Sequence, residues 1–266
     1  MLFKQTLFVS AALAFGCVYA QDIDLATPES WSNPAVIKSV EDGILEISGR
    51  RGLYSKEIFK IDPAKTYKIT GEIRQTEGEP SITHIGFIPL DENKKHLTAL
   101  NFNIRPNTDT EIVADCKADD TVMMVKDASK WGKVLIHERV ALNTKEDYSD
   151  LPNQNYVNVK IEEIKKDGDA WMVIFSAPIK KEVTAGTKIR LHRGAGYIYT
   201  GGSNRTTSGE DWKKIDGSIT GHGKYGFSNY KAWPPGTAYA RFVVLANYNK
   251  GEATLQMKNF KVEVVD

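Results

Sequence analysis

Cysteine is nearly absent from this chain, with two in 266 residues, Cys17 and Cys116. Once the amino-terminal segment is removed on export only Cys116 remains, so no intramolecular disulfide can form and burial alone must hold the fold. An excess charge of one sign is lacking too. Lysine and arginine number 35 against 34 acids, a balance with no electrostatic footprint for nucleic acid or for an acidic membrane surface. Helical periodicity is missing: no window sustains apolar residues at spacings of three and four. No His/Cys set has zinc spacing, and no EF-hand loop occurs. Beyond residue 20 no apolar run is long enough to span a bilayer. These absences exclude a nucleic-acid binder, a membrane-spanning protein and a disulfide scaffold, and no catalytic signature accompanies them.

The first twenty residues read as a targeting segment. Residues 1–4 are short and basic, 6–19 are apolar, and Val18-Tyr19-Ala20 offers the small-residue pattern of a cleavage site. Gly16-Cys17 also places a small residue before Cys, as acylation of a lipoprotein requires. Phe15, and the lack of Leu at the first position of that motif, favour plain secretion with cleavage after Ala20. Removing residues 1–20 takes away one lysine and no acid, which brings the net charge from +1 to neutral. The remainder is long enough for one large β domain or two small ones.

What is abundant is period-two alternation, the mark of half-buried strands. Residues 45–71 place Leu45 and Ile47 on one face, then Tyr67 and Ile69 beyond an Asp62-Pro63 turn. Residues 237–265 answer with Tyr239, Phe242, Val244, Leu255, Phe260, Val262 and Val264. Between them, THIGFIPL at 83–90 is a strand with Ile85 and Phe87 on one face, closed by the polar turn Asp91-Glu92-Asn93-Lys94, and 100–104 reads as the next strand. Gly, Pro, Asn and Asp punctuate the chain about every ten residues, the rhythm of a sandwich or barrel. Near Ala114 the pattern changes. Residues 119–131 read as a short strand and a turn closed by Trp131, and 160–178 as a hairpin across Asp167-Gly168-Asp169. A strand at 188–192 follows, then a return to the main sheet through Tyr197-Ile198-Tyr199 and a strand at 212–219. The expected architecture is all-β: a sandwich of residues 21–113 plus 197–266 with an inserted β subdomain over 114–196.

Asp42-Gly43-Ile44-Leu45 with Ser48-Gly49, Gly52-Leu53-Tyr54-Ser55, Asp62-Pro63 with Lys65-Thr66-Tyr67, and the closing strands at 255–264 resemble the jelly-roll, galactose-binding-like carbohydrate-binding modules of bacterial xylanases and cellulases. A closer resemblance is to secreted bacterial proteins of polysaccharide-rich habitats. It rests on Gly86-Phe87 with Pro89-Leu90-Asp91, Val125-Lys126-Asp127-Ala128-Ser129 with Trp131, Asp150-Leu151-Pro152-Asn153, Ala185-Gly186-Thr187, and Trp233-Pro234 before Gly236-Thr237. It covers nearly all of the chain after residue 20 and implies a jelly-roll β-sandwich with an inserted β unit. Because its motifs are turns and core aromatics, it specifies fold better than ligand. The resembled modules accompany a catalytic domain and this chain carries none, so the resemblance implies a binder that acts alone or beside separate polysaccharide-degrading enzymes. Those modules also hold a structural calcium, for which Asp22, Asp24, Asp42 and Asp266 are the acids at hand; no other cofactor is implied.

Sugar binding needs flat rings to stack on pyranose C–H faces and planar polar groups to meet hydroxyls. HGKYGFSNYKAW at 222–233 interleaves Tyr225, Phe227, Tyr230 and Trp233 with Gly223, Gly226, Asn229 and Lys231, as an exposed aromatic loop does. Tyr225, Tyr230 and Trp233 are the candidate stacking rings and Asn229 a hydrogen-bonder, although Trp233, before Pro234-Pro235, equally suits the core. Arg50, Arg51 and Tyr54 form a second set, with Arg51 and Tyr54 the ligand-binding candidates; an outward arginine there would suit an acidic sugar. Trp131, Trp171 and Trp212 read as core, Cys116 as a small buried residue, and Trp31 as core or sugar platform. Against binding stand two alternatives, a structural cell-surface protein and an acidic-polysaccharide lyase using His192, Arg190 and Tyr197 from IRLHRGAGYIYT. A paired-carboxylate glycosidase is weaker, because Glu162-Glu163 and Glu210-Asp211 are sequence neighbours whose side chains face apart on a strand.

Overall fold

The computed structural model describes residues 22–41, 43–194, 200, 206–207, 209–224, 226 and 229–266. Two antiparallel sheets form the main body. In the first, the order is Lys213–Thr220, Thr66–Glu77, Thr254–Val265, Ile44–Ser48, Lys38–Glu41, and Ile23–Asp24 also pairs with Thr254–Val265. In the second it is Thr206–Thr207, Ile82–Leu90, Tyr239–Ala246, Arg51–Tyr54, and Phe59–Lys60 also pairs with Tyr239–Ala246. From Ile44 onward the chain passes back and forth between the sheets, with Arg51–Tyr54 and Phe59–Lys60 successive in the second, the winding of a jelly roll. The fold is an all-β sandwich, and among the described residues the only helical pieces are 3-10 turns at Pro28–Ser30, Pro34–Val36 and Ala99–Asn101. None is long and apolar enough to cross a membrane.

Alternation decides which side chains meet between the sheets. Leu45, Ile47, Tyr67, Ile69, Leu255, Met257 and Val262 of the first sheet face Leu53, Ile85, Phe87, Ala240, Phe242 and Val244 of the second, all buried in one cluster. Rings dominate its middle. Phe87 lies 5.8 Å from Phe242 and 5.9 Å from Phe59, and Trp31 packs 5.9 Å from Phe242. Tyr239 departs from the expected face. It lies outside that cluster and packs with Ile88, Leu90 and Val243 on the sheet's other surface.

A second β unit follows the strand Ile82–Leu90. One sheet orders Tyr156–Val157, Glu138–Leu142, Lys188–Arg193 and Thr110–Glu111, and another Ile161–Asp167, Ala170–Phe175 and Val122–Val125. They enclose their own core, including Met123, Trp131, Val140, Val173, Phe175 and Leu191. The hairpin turns tightly at Gly168-Asp169: Asp167 pairs with Ala170, and Gly168 takes the left-handed φ of 58° that glycine adopts at no steric cost. Thr110–Glu111 belongs to this unit's sheet, ahead of the change of pattern at Ala114.

Two sequence expectations meet a different structure, and a third falls outside the described residues. Residues 100–104 are not a strand: Thr98 and Asn101 cap a 3-10 turn reciprocally, and only single bridges follow at Asn103 and Ile104. Trp212 lies outside the core, its ring 4.5 Å from the Arg74 guanidinium and 4.1 Å from the Lys258 ammonium. At the strand end the indole ring is held by these two cations. The expected return through Tyr197-Ile198-Tyr199 lies outside the described residues.

Candidate functional site

Arg51–Tyr54 is an edge strand that pairs Tyr54 with Val243, Leu53 with Val244 and Gly52 with Leu245. Leu53 points into the core, so Gly52 and Tyr54 face the opposite way. Tyr54 lies along its own strand: a β-carbon at position 52 would meet its hydroxyl at 2.9 Å. Beyond Ala246 the chain turns sharply. Asn247 adopts a φ of 51°, and the next residue, Tyr248, is thrown outward with 44% of its surface exposed. The Asn247 amide sits fully buried under this turn, Nδ2 donating to the carbonyls of Ile47, Gly49 and Ala253 at 3.3, 3.0 and 2.9 Å, while Oδ1 accepts the Ser81 hydroxyl at 2.9 Å.

Tyr54 and Tyr248 therefore line one groove of about 350 Å³, together with Arg50, Arg51, Gly52 and the strand end Leu245-Ala246. The Arg50 guanidinium lies 4.5 Å above the Tyr248 ring, and His84 meets that ring edge-on at 5.0 Å. Arg51 is exposed and donates from Nη1 to the Arg50 carbonyl at 3.1 Å. A third cation, Arg241, reaches across the Tyr54 ring at 5.3 Å and donates from Nε to the Ser55 carbonyl at 2.6 Å; burial pushes its pKa down. Among the described residues no carboxylate lines the groove. The arrangement offers two phenol rings and two guanidinium groups, with Tyr54 laid over the bare backbone of Gly52.

Of the sequence-predicted residues, Arg51 and Tyr54 come together here. Tyr230 and Asn229 do not. They lie in the loop leading to Pro234, whose carbonyl accepts Thr237 N, and Ala238 N then meets Leu90 O, where the strand Tyr239–Ala246 begins. At about 3.4 Å per residue that eight-residue strand separates the two sets by roughly 20–25 Å. Tyr230 is 44% exposed, and Asn229 Oδ1 accepts the Lys231 amide at 2.9 Å. Trp233 is a correction. It is wholly buried, its ring 5.3 Å from Tyr67 and 5.2 Å from Phe87, so it has no face for a sugar. Its backbone N–H donates to Gly221 O at 2.8 Å, which fixes the chain at the end of the sandwich. Tyr225 lies outside the described residues. Sequence reasoning missed Tyr248, His84 and Arg241. The signal for Tyr248 was Asn247-Tyr248-Asn249 straight after an alternating strand, a turn composition that leaves its ring in water.

The cluster read as a lyase centre is built differently. Arg190 and His192 are both fully buried in the second β unit. His192 Nδ1 lies 2.7 Å from the Leu100 carbonyl and must donate to it, so Nε2 carries the lone pair, and this accepts Arg190 Nε at 3.1 Å. Burial, with the Arg190 charge adding to it, pushes the His192 pKa down to about 4. Arg190 in turn binds Asp150 and the Lys145 carbonyl, and its guanidinium lies 5.1 Å from the Tyr148 ring. The only basic nitrogen of His192 is thus occupied and sealed from solvent. Tyr197 lies outside the described residues.

A larger cleft of about 650 Å³ opens on the same unit. Among the described residues no aromatic lines it, and Glu111, one of its five acids, is gripped by Lys188 and Lys126, whose hydrogen bonds hold its pKa down at about 2. Among the described residues no three His, Cys, Asp or Glu side chains converge as metal ligands. Of the acids considered for calcium, Asp22 accepts Val264 N, Asp24 accepts Ala26 N, and Asp266 pairs with Lys65 at 3.0 Å; Asp42 lies outside the described residues. Cys116 is buried, as its apolar context implied.

No family model matches the chain, and no curated protein matches it. Among solved structures it is similar to a crystal structure from Parabacteroides distasonis described as a candidate glycosyl hydrolase, at 11% identity over 88% of this chain and 93% of the other, with a TM-score of 0.27.

Proposed function

We propose that this is a secreted, non-catalytic polysaccharide-binding protein, and that its sugar site is the groove between Tyr54 and Tyr248. The observation that carries the reading is the pair of tyrosine rings lining one open groove with Arg50 and Arg51. Ring faces stack on the apolar faces of pyranoses, and guanidinium groups donate in a plane to ring and hydroxyl oxygens. The missing side chain of Gly52 lets the Tyr54 ring lie along the strand in the groove. The protein presents the glycan to water or to separate degrading enzymes. The pair that the sequence offered for catalysis, His192 and Arg190, is buried and hydrogen-bonded to itself, which supports binding over chemistry there.

Affinity electrophoresis through gels containing a panel of neutral and acidic polysaccharides tests this. Retardation on at least one polymer is expected, reduced about three- to tenfold in Tyr248→Ala, the effect of losing one stacked ring. The thermal melt of that variant should match the parent, because Tyr248 is half exposed. Retardation that Tyr248→Ala leaves untouched would move the site elsewhere. Unsaturated product accumulating in the acidic gels would make the protein an enzyme.

A further inference from the structure

Resting on that reading, we infer that the groove selects polyanionic glycans, those bearing carboxylate or sulfate, over neutral ones. Three observations point this way. First, among the described residues the groove holds two arginines and no acid, while the protein as a whole is charge-balanced, with 35 basic against 34 acidic residues. A local cationic patch on a neutral molecule is a placed feature, not a by-product of net charge.

Second, the two guanidinium groups are not committed elsewhere. Several surface cations meet carboxylates, among them Lys126 and Lys188 on Glu111, Lys65 on Asp266, Lys261 on Glu263 and Lys258 on Glu72. Arg51 instead spends one N–H on the neighbouring Arg50 carbonyl, and Arg50 rests on the Tyr248 ring. Stacking of that kind leaves the edge N–H groups in the guanidinium plane available, and those are the groups that form paired bonds to a carboxylate or sulfate.

Third, the neighbouring cation is held in place from beneath. Arg241 is fastened to the Ser55 carbonyl and lies across Tyr54, so it contributes a fixed positive field to the same face without reaching for the ligand. A neutral sugar would use the tyrosines and waste this charge. A uronate or sulfated sugar uses both, its ring face on Tyr54 or Tyr248 and its anionic group between Arg50 and Arg51.

The test uses the purified protein in gels containing polygalacturonate, the same polymer methyl-esterified, a sulfated galactan and an unsulfated galactan. Expected is retardation by the two anionic polymers, lost on esterification and on removal of sulfate. The relative strength of the two anionic arms tells carboxylate from sulfate. Arg50→Gln/Arg51→Gln should weaken retardation at least tenfold with an unchanged melting temperature. Ionic strength near 1 M, where screening acts within about 3 Å, should weaken it in the parent. Lys165→Gln/Lys166→Gln, which removes two exposed charges from the distant hairpin, should change nothing. Equal retardation by neutral and anionic polymers, indifferent to the arginine variant, overturns the selectivity and leaves the sugar site standing. An equal loss in the lysine variant overturns it in favour of general ion exchange. Retardation by none of the four overturns both this inference and the sugar site.

Discussion

Gly52 earns its place by what it lacks. Its neighbour two residues on, Tyr54, folds back along the strand so that the phenol hydroxyl lies 2.9 Å from where a β-carbon would stand. The obstructing atom is the far end of a mobile side chain and not backbone, and alanine loses less chain entropy than glycine on folding, by roughly 0.5–1 kcal/mol, so Gly52→Ala should fold with little net change in stability. The ring must swing off the floor of the groove, however, and ligand affinity should fall several-fold. A melt that holds while retardation on the polysaccharide gel drops is the expected pair; unchanged retardation would remove Tyr54 from the site. His192 gives a prediction of another kind. Its pKa is near 4 in the folded protein against an ordinary value of 6.5, so between those values the native state binds fewer protons than the unfolded one. The stability it confers is therefore complete above about pH 6.5 and is lost as pH falls toward 4, with a total of roughly 3 kcal/mol. Asp150 does not confound this window. Burial works to raise its pKa, but hydrogen bonds from Arg190 and Asn153 outweigh it and hold the carboxyl below its ordinary value. Denaturant unfolding at pH 7.5, 5.5 and 4.5 should show the decline, and His192→Asn should start less stable with a flatter dependence. An identical slope in the variant would assign the titration to other groups.

At the scale of elements, the groove depends on how strand ends are tied. Asn247 holds the end of Tyr239–Ala246 against three carbonyls from the first sheet's side, at Ile47, Gly49 and Ala253. The same bonds aim Tyr248 outward. Asn247→Asp removes the donor and places a carboxylate among three carbonyl oxygens, which should cost several kcal/mol, each stranded buried group accounting for about 1–3. Asn247→Gly keeps the left-handed turn but loses the clamp; it should be milder in stability and still weaken retardation, because Tyr248 is no longer aimed. A variant of full stability and full binding would show the clamp to be incidental. Much of the element pattern was legible in the chain. The strand pair around Gly168, the strand Ile82–Leu90 with its Asp91 turn and the burial of Leu45, Ile47, Phe242 and Leu255 all follow from period-two spacing, which is a local property. The groove was legible only by halves. Arg51 and Tyr54 are neighbours in sequence, but Tyr248 and Arg241 reach them through antiparallel pairing across nearly two hundred residues, which no local pattern encodes. Trp233 illustrates the opposite failure: an aromatic in a glycine-rich loop has the composition of a surface residue, and only the space left between Tyr67 and Phe87 makes it core. His192 and Arg190 share a strand face as alternation requires, yet whether that face meets solvent is decided by Leu100 and Asp150, from other segments.

The molecule as a whole is two cores joined by a hydrogen-bonded seam. The core of the sandwich and that of the second β unit share no residue. Between them run Asn153 N to Asn101 O at 2.7 Å, Asn101 Nδ2 back to Asn153 O at 3.1 Å, and Arg193 N to Asn103 O at 2.9 Å. The buried network sits just behind this seam, and its members come from both sides: Leu100 from the sandwich side, Asp150, Arg190 and His192 from the inserted unit. The network ties Leu100 to the inserted unit, and removing one partner shows how far the two cores unfold independently. Asp150→Ala leaves the wholly buried Arg190 without its close carboxylate, Asp109 being 3.5 Å away and partly exposed. Breaking a buried pair from one side costs about 3–5 kcal/mol. That loss falls first on the strands that carry the pair. Hydrogen exchange in the variant should accelerate through Glu138–Leu142 and Lys188–Arg193, while Thr66–Glu77 and Thr254–Val265 keep the parent's protection and retardation on polysaccharide gels is retained. Such a result would mean that the sandwich folds and binds without help from a stable insertion. Uniform loss of protection over both cores, with binding abolished, would mean instead that the seam couples them into one cooperative unit and that the groove depends on the insertion for its shape.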